Sequence, residues 1–346
     1  MNNQETYMLN CLQLAIKGLG NVAPNPMVGC VIVYEDKIIG EGYHQQYGKA
    51  HAEVNAINSV ENKKLLLEST LYVNLEPCAH FGKTPPCADF IIENKIPNVV
   101  IGSIDFNSEV NGKGIEKLIN AGINVKVGIL KDECEKINKR FFTFHKQKRP
   151  FIILKWAQSC DGFIDFKREE GNPGKALQIS TQESRMLLHK WRSEEQAIIV
   201  GTNTALLDNP QLTVRDYKGE NPLRITIDKW LRIPIQFHFF DKSTATLIFT
   251  AIEKPSEINL EYVKIDFEQP IISQILNELY KRNIHSLIVE GGEQLLNSFI
   301  DIAAWDEARV FISDKNIEKG IKAPELNSIP LTKENIKGDK LLTFLR

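Results

Sequence analysis

The apolar positions of this chain change period repeatedly, and each change marks an element. Met8, Cys11, Leu12, Ala15, Ile16 and Leu19 recur at helical spacing, and Gly18 and Gly20 end the pattern. Asn25-Pro26 starts a turn. Val28–Tyr34 then reads as a buried strand, with a hairpin tip at Asp36-Lys37 and Ile38-Ile39 returning. His51–Ser59 is predicted as a helix and Thr70–Leu75 as a strand. Pro86–Glu93 follows as a helix with proline in its first turn. Strands at Asn98–Ile101 and Asn124–Val127 flank a helix near Lys113–Asn120. Such alternation predicts an α/β layered domain.

Lys131–Lys148 reads as one helix, basic toward its end, which Pro150 breaks. A second alternating series follows. Strands are predicted at Phe151–Trp156, Ala197–Val200, Arg224–Asp228, Ala245–Thr250, Ser286–Val289 and Glu307–Ile312. Helices are predicted at Gln182–Trp191, Thr202–Leu207 and Ile272–Lys281, with another running from Gly292 to Phe299. The two series predict two domains, residues 1–146 and 147–346. The final thirty residues or so carry no usable motif.

Composition narrows the class. The 346 residues carry a net charge of -2, so no broad basic footprint for nucleic acid is visible. No apolar run approaches the ~20 residues of a membrane span, and the first residues lack a signal-peptide pattern. Six scattered cysteines fit a reducing, cytoplasmic setting better than a disulfide framework.

The strongest chemical signal is His51-Ala52-Glu53, then Glu76-Pro77-Cys78, then Pro86-Cys87. One imidazole and two thiolates offer zinc three ligands of suitable softness and leave a fourth position for water. Glu53, two residues after the histidine, suits a proton shuttle that is not itself a ligand. The H-x-E…P-C pattern is that of zinc deaminases acting on cytosine- or adenine-type rings. Taken singly, His51 reads as a loop or cap histidine and the cysteines as structural thiols; the glutamate arriving with them favours catalysis. A closed structural site would need His80 as fourth ligand. Cys30 lies mid-strand and is expected in the core. The generic signature places two residues between its cysteines, whereas Ala79–Pro86 separates Cys78 from Cys87.

That longer loop, PCAHFGKTPPC, resembles the deaminase domain of the bifunctional riboflavin-biosynthesis deaminase–reductases, as do PNPMVGCVIV, GYH and HAEVNAI. The resemblance covers nearly all of residues 5–130 and implies a cytidine-deaminase-like α/β/α layered domain. It implies zinc on His51, Cys78 and Cys87, with Glu53 as proton shuttle. It further implies that Asn25, His44, Lys83, Asp105 and Asn107 contact the pyrimidine or its ribose phosphate. Phe106 and Ser108 stand where the family commonly has proline.

In the second half, Glu290-Gly291-Gly292 lies between a strand and a helix, where backbone can approach a phosphate closely. No G-x-G-x-x-G fingerprint is present. LKWAQSCDGFI, Ile179-Ser180, Trp191-Arg192, LLDNPQLTVR and VEGGEQLLNSF resemble the reductase domain of the same family, which is dihydrofolate-reductase-like and uses NADPH. The resemblance implies cofactor contacts from Ala157, Gln178, Thr204, Asp208 and Lys229. The run Gly292, Glu293, Gln294, Leu295, Leu296, Asn297 and Ser298 would add backbone contacts. It also implies substrate contacts from Arg192, Leu212, Arg215 and Glu290, with Lys155 and Asp208 polarising or protonating the ribose end. Lys229 is a candidate clamp for the cofactor's extra phosphate. Read without the family, Lys155 could snorkel beside its strand and Arg192 could be a solvated helix charge. Tryptophan is frequent where Gln178 stands, and leucine is usual at Cys160, which reads as a mild core change.

The implied reactions are zinc-dependent deamination of a diaminopyrimidinone ribosyl phosphate and NADPH-dependent reduction of its ribosyl to a ribityl chain. The expected partner is that phosphoribosylated pyrimidine, with no nucleic acid and no membrane, in a homodimer or homotetramer. Two alternatives stay open: a nucleic-acid base deaminase with an accessory domain, and a deaminase fused to a non-catalytic cofactor-binding module.

Overall fold

A computed structural model describes residues 3–79, 81, 85–106, 111–168 and 177–346. Backbone packing divides the chain into two compact units, Met1–Lys148 and Arg149–Arg346. No helix among the described residues is long and apolar enough to cross a membrane.

The first unit runs α1 (Asn3–Ile16), β1 (Gly29–Tyr34), β2 (Lys37–Tyr43), α2 (Ala52–Ser59), β3 (Thr70–Leu75), α3 (Cys87–Glu93), β4 (Asn98–Ser103), α4 (Lys113–Asn120), β5 (Asn124–Val127), α5 (Lys131–Ile137) and α6 (Lys139–Gln147). Its sheet has the order β2-β1-β3-β4-β5. β1 is antiparallel to both neighbours, and β3, β4 and β5 run parallel. Strand residues alternate between two cores. Cys30, Ile32, Leu71, Val73, Val99 and Ile101 pack on Ala56, Ile57, Ile91 and Leu118 from α2, α3 and α4. Val31, Val33, Tyr72 and Val100 pack on Met8, Cys11, Leu12 and Cys134 from α1 and α5. Helices on both faces of one sheet make the expected α/β/α sandwich. Cys30 is fully buried, as expected.

Two local readings need correction. The hairpin tip is Glu35-Asp36, with φ of 45° and 59°, and Lys37 already pairs with Tyr34. This is a two-residue turn with both central residues left-handed, which matches the twist of the strands. The helix predicted over Lys131–Lys148 is two helices broken at Asn138 (φ -98°, ψ 20°). Asn138 turns inward, where its side chain accepts from Met27 N at 2.8 Å and donates to Met27 O at 2.9 Å.

The second unit runs β6 (Phe151–Gln158), β7 (Phe163–Asp165), α7 (Gln182–Glu194), β8 (Ala197–Val200), α8 (Thr202–Asp208), β9 (Leu223–Ile227), β10 (Thr246–Thr250), β11 (Leu260–Lys264), α9 (Ile271–Lys281), β12 (Ser286–Glu290), α10 (Glu293–Asp301), β13 (Glu307–Ile312), β14 (Ile321–Lys322), β15 (Thr332–Ile336) and β16 (Asp339–Leu345). Nine strands form one sheet in the order β11-β10-β9-β8-β12-β6-β13-β16-β15. From β11 to β13 they run parallel, and β16 and β15 close the edge antiparallel. The motif-free tail is therefore a hairpin that extends the sheet. One face packs Ile152, Leu154, Leu287 and Val289 against α9 and α10. The other packs Ile198, Val200, Ile288 and Phe311 against α7 and α8, with Trp191 stacked 5.4 Å from Phe311. Cys160 is exposed and donates to Asp314 O, so its departure from leucine is no core change.

Candidate zinc centre and candidate reductase cleft

The zinc candidates meet where β3 ends against the first turns of α2 and α3. His51 is the N-cap of α2, with extended backbone and no side-chain capping bond, so its imidazole is free to face the cysteines. Its Nδ1 lies 3.6 Å from Cys78 Sγ and 3.3 Å from Cys87 Sγ. Ligands at ordinary zinc–nitrogen and zinc–sulfur lengths stand about 3.6 Å apart across a tetrahedral angle. All three ligand atoms lie within 4.8 Å of one another. Among the described residues no other group of histidine, cysteine, aspartate or glutamate side chains is placed to hold a metal. The donor set and its spacing fit zinc. Pro86 caps α3, and Cys87, its first residue, donates its backbone N–H to Cys78 Sγ at 3.3 Å. The thiol of Cys87, then His51, pull the Cys78 thiol down to about 4 against burial. The Cys78 sulfur and burial push Cys87 up.

Glu53 lies in the first turn of α2 and is 3% exposed. Burial pushes its carboxyl up to about 7, against the pull of His51. A carboxyl that holds its proton near neutrality can give and take protons beside the cluster. His44 and His51 stand edge to face, 5.1 Å between centroids. His44 Nδ1 lies 3.1 Å from Ala50 O, and Asn25 Nδ2 lies 3.1 Å from His44 Nε2. A carbonyl only accepts, so Nδ1 carries a proton and Nε2 accepts from the amide of Asn25. Burial lowers the pKa of His44 and favours this neutral form. Asn55 braces the same loop by donating to Tyr43 O and Ala50 O. Asp105 is 6% exposed at the start of the loop after β4. Phe106 stacks edge-on against Phe142 at 5.3 Å with Lys146 above its ring. Lys83, Asn107, Ser108 and His80 lie outside the described residues.

In the second unit, a cavity of about 1190 Å³ opens at the carboxyl ends of β6, β8 and β12. That position is where parallel sheets bind ligands. Parallel register sets Lys155 beside Glu290. Lys155 Nζ reaches Glu290 Oε1 at 3.2 Å, and Arg192 Nη2 reaches Glu290 Oε2 at 2.9 Å. Lys155 and Arg192 are 7% and 6% exposed, so neither is a solvated surface charge. Burial pushes the Glu290 carboxyl up, yet Arg192 and Lys155 outweigh it and hold it at about 2. Arg192 Nε is buried without a partner among the described residues. Leu212 and Arg215 line the same wall. Arg215 Nη1 donates to Gln211 Oε1 at 2.6 Å.

Ala157, Gln178, Thr204 and Asp208 also line the cavity, as do Gly292, Glu293, Gln294, Leu295 and Ser298. Gly291 has φ of 139°, a conformation that favours glycine. It brings Gly292 N to Thr204 Oγ1 at 3.0 Å and aims the start of α10 at the cleft. Asp208 accepts from Arg168 Nη1 at 2.7 Å. Burial raises the pKa of Asp208, and Arg168 opposes the rise.

Three expected contacts are not on the wall. Leu296 is wholly buried in the core, and Asn297 bonds Glu293. Lys229 Nζ sits over the rings of Trp230 (5.0 Å) and Phe267 (5.3 Å), 3.8 Å from Glu268. The wall instead includes Arg185, Arg232 and His238. Sequence reading missed these, and also Arg168, which bonds Asp208, because none sits in a motif and only the fold gives them their neighbours.

Residues 1–103 match the family model described as the cytidine and deoxycytidylate deaminase zinc-binding region, and residues 150–317 match the RibD C-terminal domain. The riboflavin biosynthesis protein RibD of Aquifex aeolicus is 39% identical over 99% of this chain and 98% of its own length. This chain belongs to the RibD family. The Escherichia coli family member is 34% identical, over 90% of this chain and 88% of its own. A crystal structure from Thermotoga maritima superposes with a TM-score of 0.87 at 38% identity, covering 99% of this chain and 98% of that one. That protein is described as a diaminohydroxyphosphoribosylaminopyrimidine deaminase and 5-amino-6-(5-phosphoribosylamino)uracil reductase. RibD of Acinetobacter baumannii superposes with a TM-score of 0.88 at 29% identity over the same shares. The deaminase-like first domain and the reductase domain expected from sequence are thus the family's two halves.

Proposed function

We propose that this chain catalyses both steps named for its Thermotoga relative. The first is hydrolytic deamination of 2,5-diamino-6-(5-phosphoribosylamino)pyrimidin-4-one, and the second is NADPH-dependent reduction of the ribosyl side chain to ribityl. The observation that carries this reading is the convergence of His51, Cys78 and Cys87 beside a buried, protonatable Glu53, in a chain that matches the family end to end.

In the first domain His51, Cys78 and Cys87 would hold zinc. Bound zinc acidifies water and so supplies a nucleophile near neutral pH. Glu53 would hold and pass a proton at its carboxyl oxygens, to the amine that departs from the ring. Asn25, neutral His44 and Asp105 bind the pyrimidine edge and its ribose, and Lys83 and Asn107 complete that set by family resemblance.

In the second domain the cleft is larger than the ~300–1,000 Å³ of an ordinary single-ligand pocket, which suits cofactor and substrate side by side. The start of α10 and the Gly291-Gly292 backbone suit a cofactor phosphate. When bound there, NADPH would supply the hydride for reduction of the ribosyl chain. Arg192 and Arg215 would donate to the substrate phosphate, and Leu212 lines the same wall. Glu290 orients Lys155 and Arg192. Lys155 Nζ or the Asp208 carboxyl donates the proton at the ribose end.

Two separate assays test the reading. Ammonia release from the diamino substrate is expected from zinc-loaded protein without NADPH. NADPH oxidation is expected only when the deaminated product is supplied. NADPH oxidation that never depends on the pyrimidine would remove the reductase assignment.

A further inference from the structure

Glu76 directly follows β3, two residues before Cys78, and is 4% exposed. Its carboxylate is fully engaged by backbone donors from a distant stretch of chain. Oε1 accepts from Gly114 N at 2.9 Å and Ile115 N at 3.3 Å. Oε2 accepts from Asp105 N at 3.2 Å and Gly112 N at 3.0 Å. Thus Oε1 holds the first turn of α4, while Oε2 holds both ends of the loop that leaves β4. The two chain segments also touch directly. A Cβ on Gly114 would stand 2.0 Å from Pro77 O, so only glycine lets α4 lie this close to the Glu76-Pro77-Cys78 turn. Charge-assisted bonds of this kind are stronger than neutral ones. A carboxylate at the start of a helix gains further from the exposed N–H groups there.

We infer that Glu76 is a positioning residue for the deaminase reaction: it fixes Asp105 relative to the zinc-ligand turn and so sets affinity for the pyrimidine substrate. The inference rests on the proposed role of Asp105 in substrate binding. Ionised glutamate is needed here because both oxygens must accept. Glutamine would put an N–H₂ against backbone N–H donors and release one of the two anchored segments.

The test compares full-length wild type, Glu76→Gln, Asp105→Ala and the double variant, all zinc-loaded, assayed for deamination without NADPH. An unchanged far-ultraviolet circular dichroism spectrum reports that each variant is folded. Glu76→Gln is expected to raise KM about tenfold or more, the weight of one hydrogen bond to a charged group, with kcat changed much less. Zinc content is expected to equal that of wild type. Because Glu76 acts through Asp105, the double variant is expected to have the KM of Asp105→Ala alone. Three results overturn the inference: an unchanged KM with lowered thermal stability, which makes Glu76 only a helix cap; loss of zinc, which makes it a support for Cys78; or additive effects on KM. Absence of deamination in wild type would refute the proposed function instead, and is read separately.

Discussion

The Glu290 carboxylate accepts from the Arg192 guanidinium at 2.9 Å while its other oxygen holds Lys155, so one buried acid joins two cations at the head of the reductase cleft. Its carboxyl is held at about 2 in the fold against about 4.5 ordinarily. A lowered folded value means that the stabilisation is complete above the ordinary value and lost as pH falls toward the lowered one. Glu290→Gln is expected to lower the stability of the second domain at neutral pH by about 3 kcal/mol, the cost of leaving buried charges unpaired. The gap from wild type should close between pH 4.5 and about 2. Denaturant unfolding across that range measures it; a constant gap would contradict the assigned pair.

Glu53→Gln tests the proton shuttle. Deamination is expected to fall by about 10²–10⁴-fold, the ordinary worth of a positioned acid–base group. Zinc content should not change, because Glu53 is not among the proposed ligands. Metal analysis beside the rate measurement decides it, and loss of zinc would mean that Glu53 helps to hold the ion.

Cys87→Ser tests the metal set. The variant is expected to lose zinc and deamination together while the second domain still reduces the deaminated product. Chelation of wild type should give the same division between the two activities. Retained zinc in Cys87→Ser would require another ligand.

Lys229→Ala addresses cofactor choice. The ammonium is engaged by Trp230, Phe267 and Glu268, off the cleft wall that Arg232 lines. The variant is expected to keep its preference for NADPH over NADH within about fivefold, since exposed pairs of this kind contribute ~0–1 kcal/mol. Collapse of that preference would restore Lys229 as the phosphate clamp.

Much of this was legible locally. Thr70–Leu75, Ala197–Val200 and Glu307–Ile312 have the ends read from sequence, because largely apolar runs bounded by turn residues need no distant information. The break at Asn138 was not legible, since its partner Met27 lies 111 residues away. Nor was the C-terminal hairpin: β15 is almost wholly exposed, and β16 takes its place only by pairing with β13. The same division holds at the sites. His51, Glu53, Cys78 and Cys87 announce themselves through spacing and residue type. Glu76 and Arg168 do not, because an acid bonded to backbone amides or an arginine beside an acid has meaning only once the chain is folded.

The most direct measurement follows the mass of the diaminopyrimidinone ribosyl phosphate on incubation with zinc-loaded protein, with and without NADPH. Exchange of one amine for an oxo group without NADPH, and gain of two hydrogens only when NADPH is present, is the predicted result. An unchanged mass in both incubations would contradict the account.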